Sequence, residues 1–366
     1  VTSHAAVHDA DTMPARDAAP IAITGVAQRE AWVRGTLPPV EQVRPGLWSI
    51  PVPMPRNPLR YVLVYAFALD DGLALVDVGW PTEDAWQALV AGIRCTGHDI
   101  ADVRYAAITH LHPDHFGLAP RLREATGATL AVHAADAALL GHHTAAQTQK
   151  RDALWARQLT ALGAPPAAVT PPQVDLVRLP RGEHVDVVLG DGDPLGLPGW
   201  DLHALWTPGH TAGHACFVDA HAGVVLSGDH LLPRISPNIS TAPGQLEHPL
   251  HRYLLSLHAT ATLPDAEVLP AHEYRFRGLA ARSRALIAHH EARFDEIAAD
   301  VAAHPGSTAW EISTRIGWSR PFDTLGLQQR RLAVRETDAH LLILADRGRT
   351  RRVAGLGEAG PERWTA

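Results

Sequence analysis

Four short segments of this 366-residue chain place imidazoles and carboxylates at intervals that suit a metal ion. The densest is residues 109–117, THLHPDHFG, with His110, His112, Asp114 and His115. Farther on, TPGHTAGH carries His210, SGDH carries Asp229 and PAHE carries His272. Each segment follows an apolar, β-rich run, so each of these residues is expected at a strand end or on the loop beyond it. His110 and His112 alternate on extended backbone and can point to one side. Asp114 and His115 come where the chain turns into a helix. Neutral imidazole and carboxylate suit Zn²⁺, which takes about four donors and, in a catalytic site, keeps a position for water. The seven residues divide between two ions. His110, His112 and His210 serve the first, Asp114, His115 and His272 the second, and Asp229 bridges. Ions roughly 3.5–4 Å apart would share a hydroxide available near neutral pH. Asp114 is then the residue expected to orient that hydroxide and to accept or pass on a proton.

The chain has 23 histidines, so pairs such as His142-His143 and His289-His290 arise without a ligand role. The plain alternative for His110, His112, His210 and His272 is a hydrogen-bonded loop imidazole. For Asp114 and Asp229 it is a helix cap or turn carboxylate. The metal reading therefore rests on spacing and on the strand before each cluster. His214 and His230 adjoin ligands but fill no missing position, so hydrogen bonding beside the site is expected of them. His133, His203 and His221 are read as strand or surface residues, and Trp206 as core.

In this order, HLHPDH, TPGHTAGH, SGDH and PAHE resemble the metal motifs of the metallo-β-lactamase-fold hydrolases, the superfamily that includes glyoxalase II. LVDVGW resembles its early strand motif, in which Asp77 would brace the site rather than bind metal. The resemblance covers residues 47–274, and the tail is similar to the winged-helix tail of the β-lactamase-like protein 2 branch. It implies an α/β fold: an αββα sandwich of two mixed sheets with the metals at one edge, and a small C-terminal winged-helix-like domain. It implies hydrolysis, and an ester, thioester or lactone is favoured, with a small molecule or an acyl-carrier or coenzyme A conjugate as substrate. Tyr274, two residues past His272, either faces substrate or packs. Three alternatives stay open: a phosphodiesterase or ribonuclease of the same fold, a mononuclear iron dioxygenase, and a metal-containing DNA-binding regulator. The branch that holds two irons for oxygen or nitric oxide reduction carries glutamate where this chain has His112. An all-imidazole first site suits two Zn²⁺ per chain better, with Mn or Fe as substitutes. A strict β-lactamase role implies export and is not expected.

These residues need a scaffold. Hydrophobic residues make up 46% and charged residues 19%, enough apolar material for a large soluble core. A net charge of −7 does not suit a protein that coats nucleic acid. The two cysteines, Cys95 and Cys216, form no framework and are read as buried free thiols. No apolar run approaches ~18 residues and no leader is evident, so a cytoplasmic protein without membrane contact is expected; a homodimer is compatible. Strands alternate with helices, including one over residues 82–101 capped by Thr82. We divide the chain into a partly helical extension over 1–40, a catalytic domain over 41–278, a winged-helix-like domain over 279–353 and a tail over 354–366. A helical insertion at 136–171 is read as either a lid or plain packing, and strands are expected to return from Val177. The last domain reads as helix, short helix capped by Ser307 or Thr308, helix, turn at Gly348 and strand.

Overall fold

Tyr61–Leu69, YVLVYAFAL, is apolar throughout, and a strand repeat of two sends its side chains to both faces. Val62, Val64 and Ala66 face one way; Tyr61, Leu63, Tyr65 and Phe67 face the other. Such a strand must be covered on both sides. In the computed structural model, which describes residues 21–140, 145–169, 185–243, 246–353 and 360–366, it lies inside a seven-stranded sheet. The spatial order is Glu41–Arg44, Leu47–Pro53, Tyr61–Leu69, Gly72–Val76, Val103–Ile108, Thr129–His133 and Val187–Leu189. A six-stranded sheet runs Ala22–Ile23, Phe276–Arg277, Glu267–Pro270, Val224–Gly228, Ala215–Asp219 and His203–Trp206. Tyr65, Phe67 and Val76 meet Phe217, Leu226 and Leu269 between the sheets. Trp86, Leu89 and Ile93 of helix Glu83–Cys95 cover the outer face of the first sheet. Helices Pro249–Thr260 and Leu279–Ala303 cover the second. The layers are helix, sheet, sheet, helix.

Pairing direction places the site. Gly72–Val76, Val103–Ile108 and Thr129–His133 run parallel, as do Val224–Gly228 and Glu267–Pro270. Parallel neighbours need crossovers, supplied by helices Glu83–Cys95 and Pro249–Thr260. The C-terminal strand ends, where all four donor motifs begin, thus come to common edges, with TPGHTAGH following His203–Trp206. Ala215–Asp219 is antiparallel to Val224–Gly228, so its leading loop, with His210, reaches the same edge.

Several expectations need correction. The helix capped by Thr82 ends at Cys95 rather than 101, because Gly97 turns left-handed (φ 88°) and a separate 3₁₀ turn, Ile100–Asp102, follows. Cys95, at that helix end, is exposed; only Cys216 is buried. Within the extension, helix Val26–Arg34 is present, but Ala22–Ile23 pairs with Phe276–Arg277 and joins the second sheet. Residues 1–20 lie outside the described residues, as does Val177; the described strand after it begins at Val187.

At the C-terminal end, Leu279–Ala303, Ala309–Ser313 and Leu327–Asp346 follow in the order read, with Thr308 and Glu311 forming a capping box. The end of the tail is different. Arg363–Thr365 pairs antiparallel with Arg351–Val353, and Trp364, 1% exposed, joins the cluster of Phe294, Ile312 and Leu344. A lone aromatic among polar residues has no period to reveal it, yet its buried area is large. Residues 354–359 lie outside the described residues. The same cluster contains Val225, Val268 and Tyr253, so these helices share one core with the second sheet. Of the insertion, 141–144 and 170–171 lie outside the described residues. Helices Ala145–Ala161 and Pro166–Val169 dock on the C-terminal helices: Trp155 lies under the Arg335 guanidinium at 4.3 Å, and the Trp310 N–H donates to the Leu162 carbonyl at 2.9 Å.

The C-terminal helix Leu327–Asp346 carries a buried acid. Asp338 accepts a hydrogen bond from the Thr241 hydroxyl at 2.8 Å. Burial pushes its carboxyl up to about 7, against the opposing pull of that bond. The folded chain thus keeps a proton that the unfolded chain releases near pH ~4, and stability should decline as pH rises from about 4 to about 7. Asp338→Asn should flatten that part of the profile. Melting temperatures at pH 5 and pH 8 check this, and equal slopes for both proteins would refute it.

Candidate metal centre

All seven expected donors meet at the sandwich edge. Three imidazole nitrogens converge first: His112 Nδ1 is 2.9 Å from His110 Nε2 and 2.9 Å from His210 Nε2. Beside them, Asp114 Oδ2 lies 3.7 Å from His115 Nε2 and 3.3 Å from His272 Nε2. Asp229 stands between the groups. Its Oδ2 is 3.4 Å from His210 Nε2, and its Oδ1 is 3.6 Å from His115 Nε2 and 3.3 Å from His272 Nε2. Donors bound tetrahedrally at 2.0–2.1 Å stand roughly 3.3 Å apart, so both sets suit zinc-sized cations. A second observation supports the fit. His115 Nε2, His272 Nε2 and Asp229 Oδ1 are buried and lack any hydrogen-bond partner. Such orphans are rare and costly, and one cation would satisfy all three.

The far ring nitrogens show why the near ones point inward. His115 Nδ1 lies 2.8 Å from Asp77 Oδ2, while Asp77 Oδ1 accepts the Thr109 N–H at 2.8 Å. Asp77 therefore braces the site without reaching the donor cluster, as the resemblance implies. It does so from a left-handed backbone (φ 59°) just past strand Gly72–Val76. His272 Nδ1 donates to the Tyr61 carbonyl at 2.8 Å, and His210 Nδ1 to the Asn238 carbonyl at 3.0 Å. His110 Nδ1 meets the Thr109 hydroxyl at 3.1 Å. Each contact fixes a tautomer that leaves Nε2 free to coordinate.

The neighbours divide as expected, with one exception. His214 has no free nitrogen: Nδ1 meets the Thr207 hydroxyl at 2.8 Å, and Nε2 accepts the Asp229 N–H at 3.1 Å. It thereby holds the Asp229 backbone. Gly228 (φ 49°) lets this happen, since a Cβ there would sit 2.7 Å from His214 Nε2 and 2.9 Å from Thr109. His230 bonds to Thr260 at 2.8 Å. Tyr274 is buried in the core between the sheets and packs. Trp206 is the exception. Its strand is at the sheet edge, and the residue is 37% exposed, its ring stacked on His133 at 5.2 Å.

One residue escaped the sequence reading. Asp136, fully buried on the short helix Ala134–Ala137, accepts the Leu111 N–H at 2.9 Å, the Gly213 N–H at 2.6 Å and the Thr211 hydroxyl at 3.1 Å. It ties the histidine loop to the His210 loop. Gly213 has no side chain for the same reason: a Cβ would fall 2.3 Å from the Asp136 backbone nitrogen. The available signal was an aspartate in the first turn of an Ala-rich helix, which reads as a routine response to the helix dipole.

The two donor sets differ in charge. Burial, then neighbouring imidazoles, lowers His110 well below its usual range and His112 to about 3, so both are neutral ligands at pH 7. Burial opposes the charged form of His115 too, but Asp77, Asp114 and Asp229 outweigh it and push the ring up to about 10. Burial would raise Asp114, but His115 and His272 draw it down to about 2. Access differs as well: His112 and His210 are part-exposed, whereas Asp114, His115 and His272 are buried, so a reactant approaches over the first set.

Asp136→Ala would strand two backbone donors at the site. Each unsatisfied buried group costs about 1–3 kcal/mol, and lost bracing typically weakens metal affinity about 10–100-fold. Chelator competition and urea unfolding should show both losses together. Wild-type metal affinity in the variant would remove Asp136 from the site.

Comparison with known proteins agrees with this geometry. The family model described as Metallo-beta-lactamase superfamily matches residues 57–272. A metallo-beta-lactamase family protein from Thermus thermophilus has 30% identity and a TM-score of 0.74, over 88% of this chain and 99% of that one. A beta-lactamase domain protein from Burkholderia ambifaria has 26% identity and a TM-score of 0.76, over 94% and 98%. A hydroxyacylglutathione hydrolase of Pseudomonas fluorescens (strain SBW25) is 38% identical over 91 residues, 24% of this chain and 32% of that relative. The match thus spans about a third of that relative's length. With more than half of its length inside one family match and seven donors at the sandwich edge, this chain belongs to the metallo-β-lactamase superfamily.

Proposed function

We propose that this chain is a dinuclear metal-dependent hydrolase acting on an ester, thioester or lactone. The observation that carries the reading is the pair of adjoining donor sets sharing Asp229, with three buried donor atoms left unsatisfied. Two divalent cations, zinc by donor chemistry with Mn or Fe as substitutes, would supply Lewis acidity and a water acidic enough to react near neutral pH. The chain's residues set up the rest. His110, His112 and His210 offer imidazole nitrogens on the more open side. His115, His272 and the two aspartates form the closed side. Asp114, held ionised and 7% exposed, would accept a proton from a reacting water.

The substrate class is argued from two directions. Some relatives carry the name hydroxyacylglutathione hydrolase, which supports thioester chemistry. In the C-terminal helices and hairpin, read as a winged-helix-like domain, three of the four arginines at 347–352 are neutralised by acids. Arg347 pairs with Glu291, Arg349 with Asp295 and Arg352 with Glu362, all within 3.0 Å. This favours a small-molecule or acyl-carrier substrate over nucleic acid. The helices at 145–169, docked beside the site-bearing loop through Gln158 and Thr241, suit the lid role. Among the described residues no helix is long and apolar enough to cross a membrane.

The test is a panel of p-nitrophenyl esters, acyl-coenzyme A thioesters, lactones and bis-p-nitrophenyl phosphate on metal-loaded protein. The highest kcat/KM should fall on a carbonyl substrate; a preference for the phosphodiester would overturn the assignment. On the best substrate, Asp114→Ala should lower kcat by about 10²–10⁴-fold. An undiminished rate at full metal occupancy would sink its role.

A further inference from the structure

His210 is held differently from the other ligands. The far nitrogens of His115, His272 and His110 find acceptors on the sandwich itself: Asp77, the Tyr61 carbonyl and Thr109. His210 instead donates to the carbonyl of Asn238, in a segment with no helix or strand to fix it. What fixes that segment is the C-terminal helix Leu327–Asp346. Asn238 Nδ2 donates to Glu336 Oε2 at 2.7 Å. Ser240 hydrogen-bonds Asn238 Oδ1 and donates to the Leu332 carbonyl at 3.3 Å. The Thr241 N–H donates to the Arg335 carbonyl at 3.3 Å, and its hydroxyl to Asp338. The Asn238 amide is thus gripped at both ends, and its backbone carbonyl is aimed at His210.

We infer that Glu336, far along the chain from every donor motif, is a positioning residue of the metal centre. Through Asn238 it fixes the ring of His210 and so sets the affinity of the first metal position. The inference rests on the two-metal reading of the donor sets. It makes the C-terminal helix a working part of that centre rather than an appended module. A carboxyl oxygen suits the task because it accepts from the amide N–H, and an aimed acceptor behind a ligating imidazole keeps its tautomer and direction. Glu336 is itself anchored, since His340 Nδ1 donates to its backbone carbonyl at 2.8 Å.

The experiment titrates full-length, metal-free protein with Co²⁺, following the visible absorption of the two positions, with chelator competition for affinity and melting temperature for fold. Glu336→Ala should weaken the first position about 10–100-fold, change its cobalt spectrum and leave the second within about threefold. Glu336→Gln, whose amide oxygen can still accept from Asn238, should stay within about threefold of wild type at both. Asn238→Ala should reproduce the Glu336→Ala loss, and combining the two should add nothing further. If Glu336→Ala binds both cobalt ions like wild type while melting lower, the residue only packs and the inference falls. It falls equally if Glu336→Gln is as weak as Glu336→Ala. The affinity comparison needs no substrate. A wild type that binds two ions yet hydrolyses nothing on the panel would therefore sink the proposed function and leave this inference to its own readout.

Discussion

Seven donors must be held facing one another without partners of their own. Left alone, each imidazole or carboxylate would turn to water or to a neighbouring N–H. The protein prevents this by holding five of the seven from behind. Asp77, Tyr61, Thr109 and Asn238 take the far nitrogens, and His214 holds the Asp229 backbone. The open lone pairs are then the only ones left, and they converge. Much of the sandwich can be understood from this need. Parallel strands deliver donors at a common edge, and the core behind them is dense enough that the braces cannot drift.

What the sequence revealed follows the same logic. The candidate donors were legible because each stands just after an apolar strand, so period and position could be read together. The layers were legible through resemblance, and the strand faces through alternation. The braces were mostly not. Asp136 acts through backbone N–H groups distant in sequence, and nothing in an Ala-rich stretch marks which carboxylate will turn inward. Tyr61 and Asn238 act through carbonyls, which every residue has. Trp206 was misplaced because an edge strand and a central one share the same local pattern. Trp364 was missed because a three-residue strand offers no repeat.

The C-terminal helices show the limit of reading a chain as separable modules. Their order was visible, but their attachment was not. Phe294, Ile312 and Leu344 share one apolar cluster with Val225 and Val268 of the second sheet, and the insertion helix lies against them through Trp155. Loosening that packing would move the wall beside His210 as well as the helices themselves.

The pairing of Ala22–Ile23 with Phe276–Arg277 has a consequence for biosynthesis. The strand that edges the second sheet leaves the ribosome well before its partner, which is made only after the last ligand, His272. Long-range closures of this kind delay folding. The nascent chain therefore exposes His110, His112, Asp114 and His115 for much of its synthesis without the residues that complete either set. The second donor set is complete only once His272 has been made.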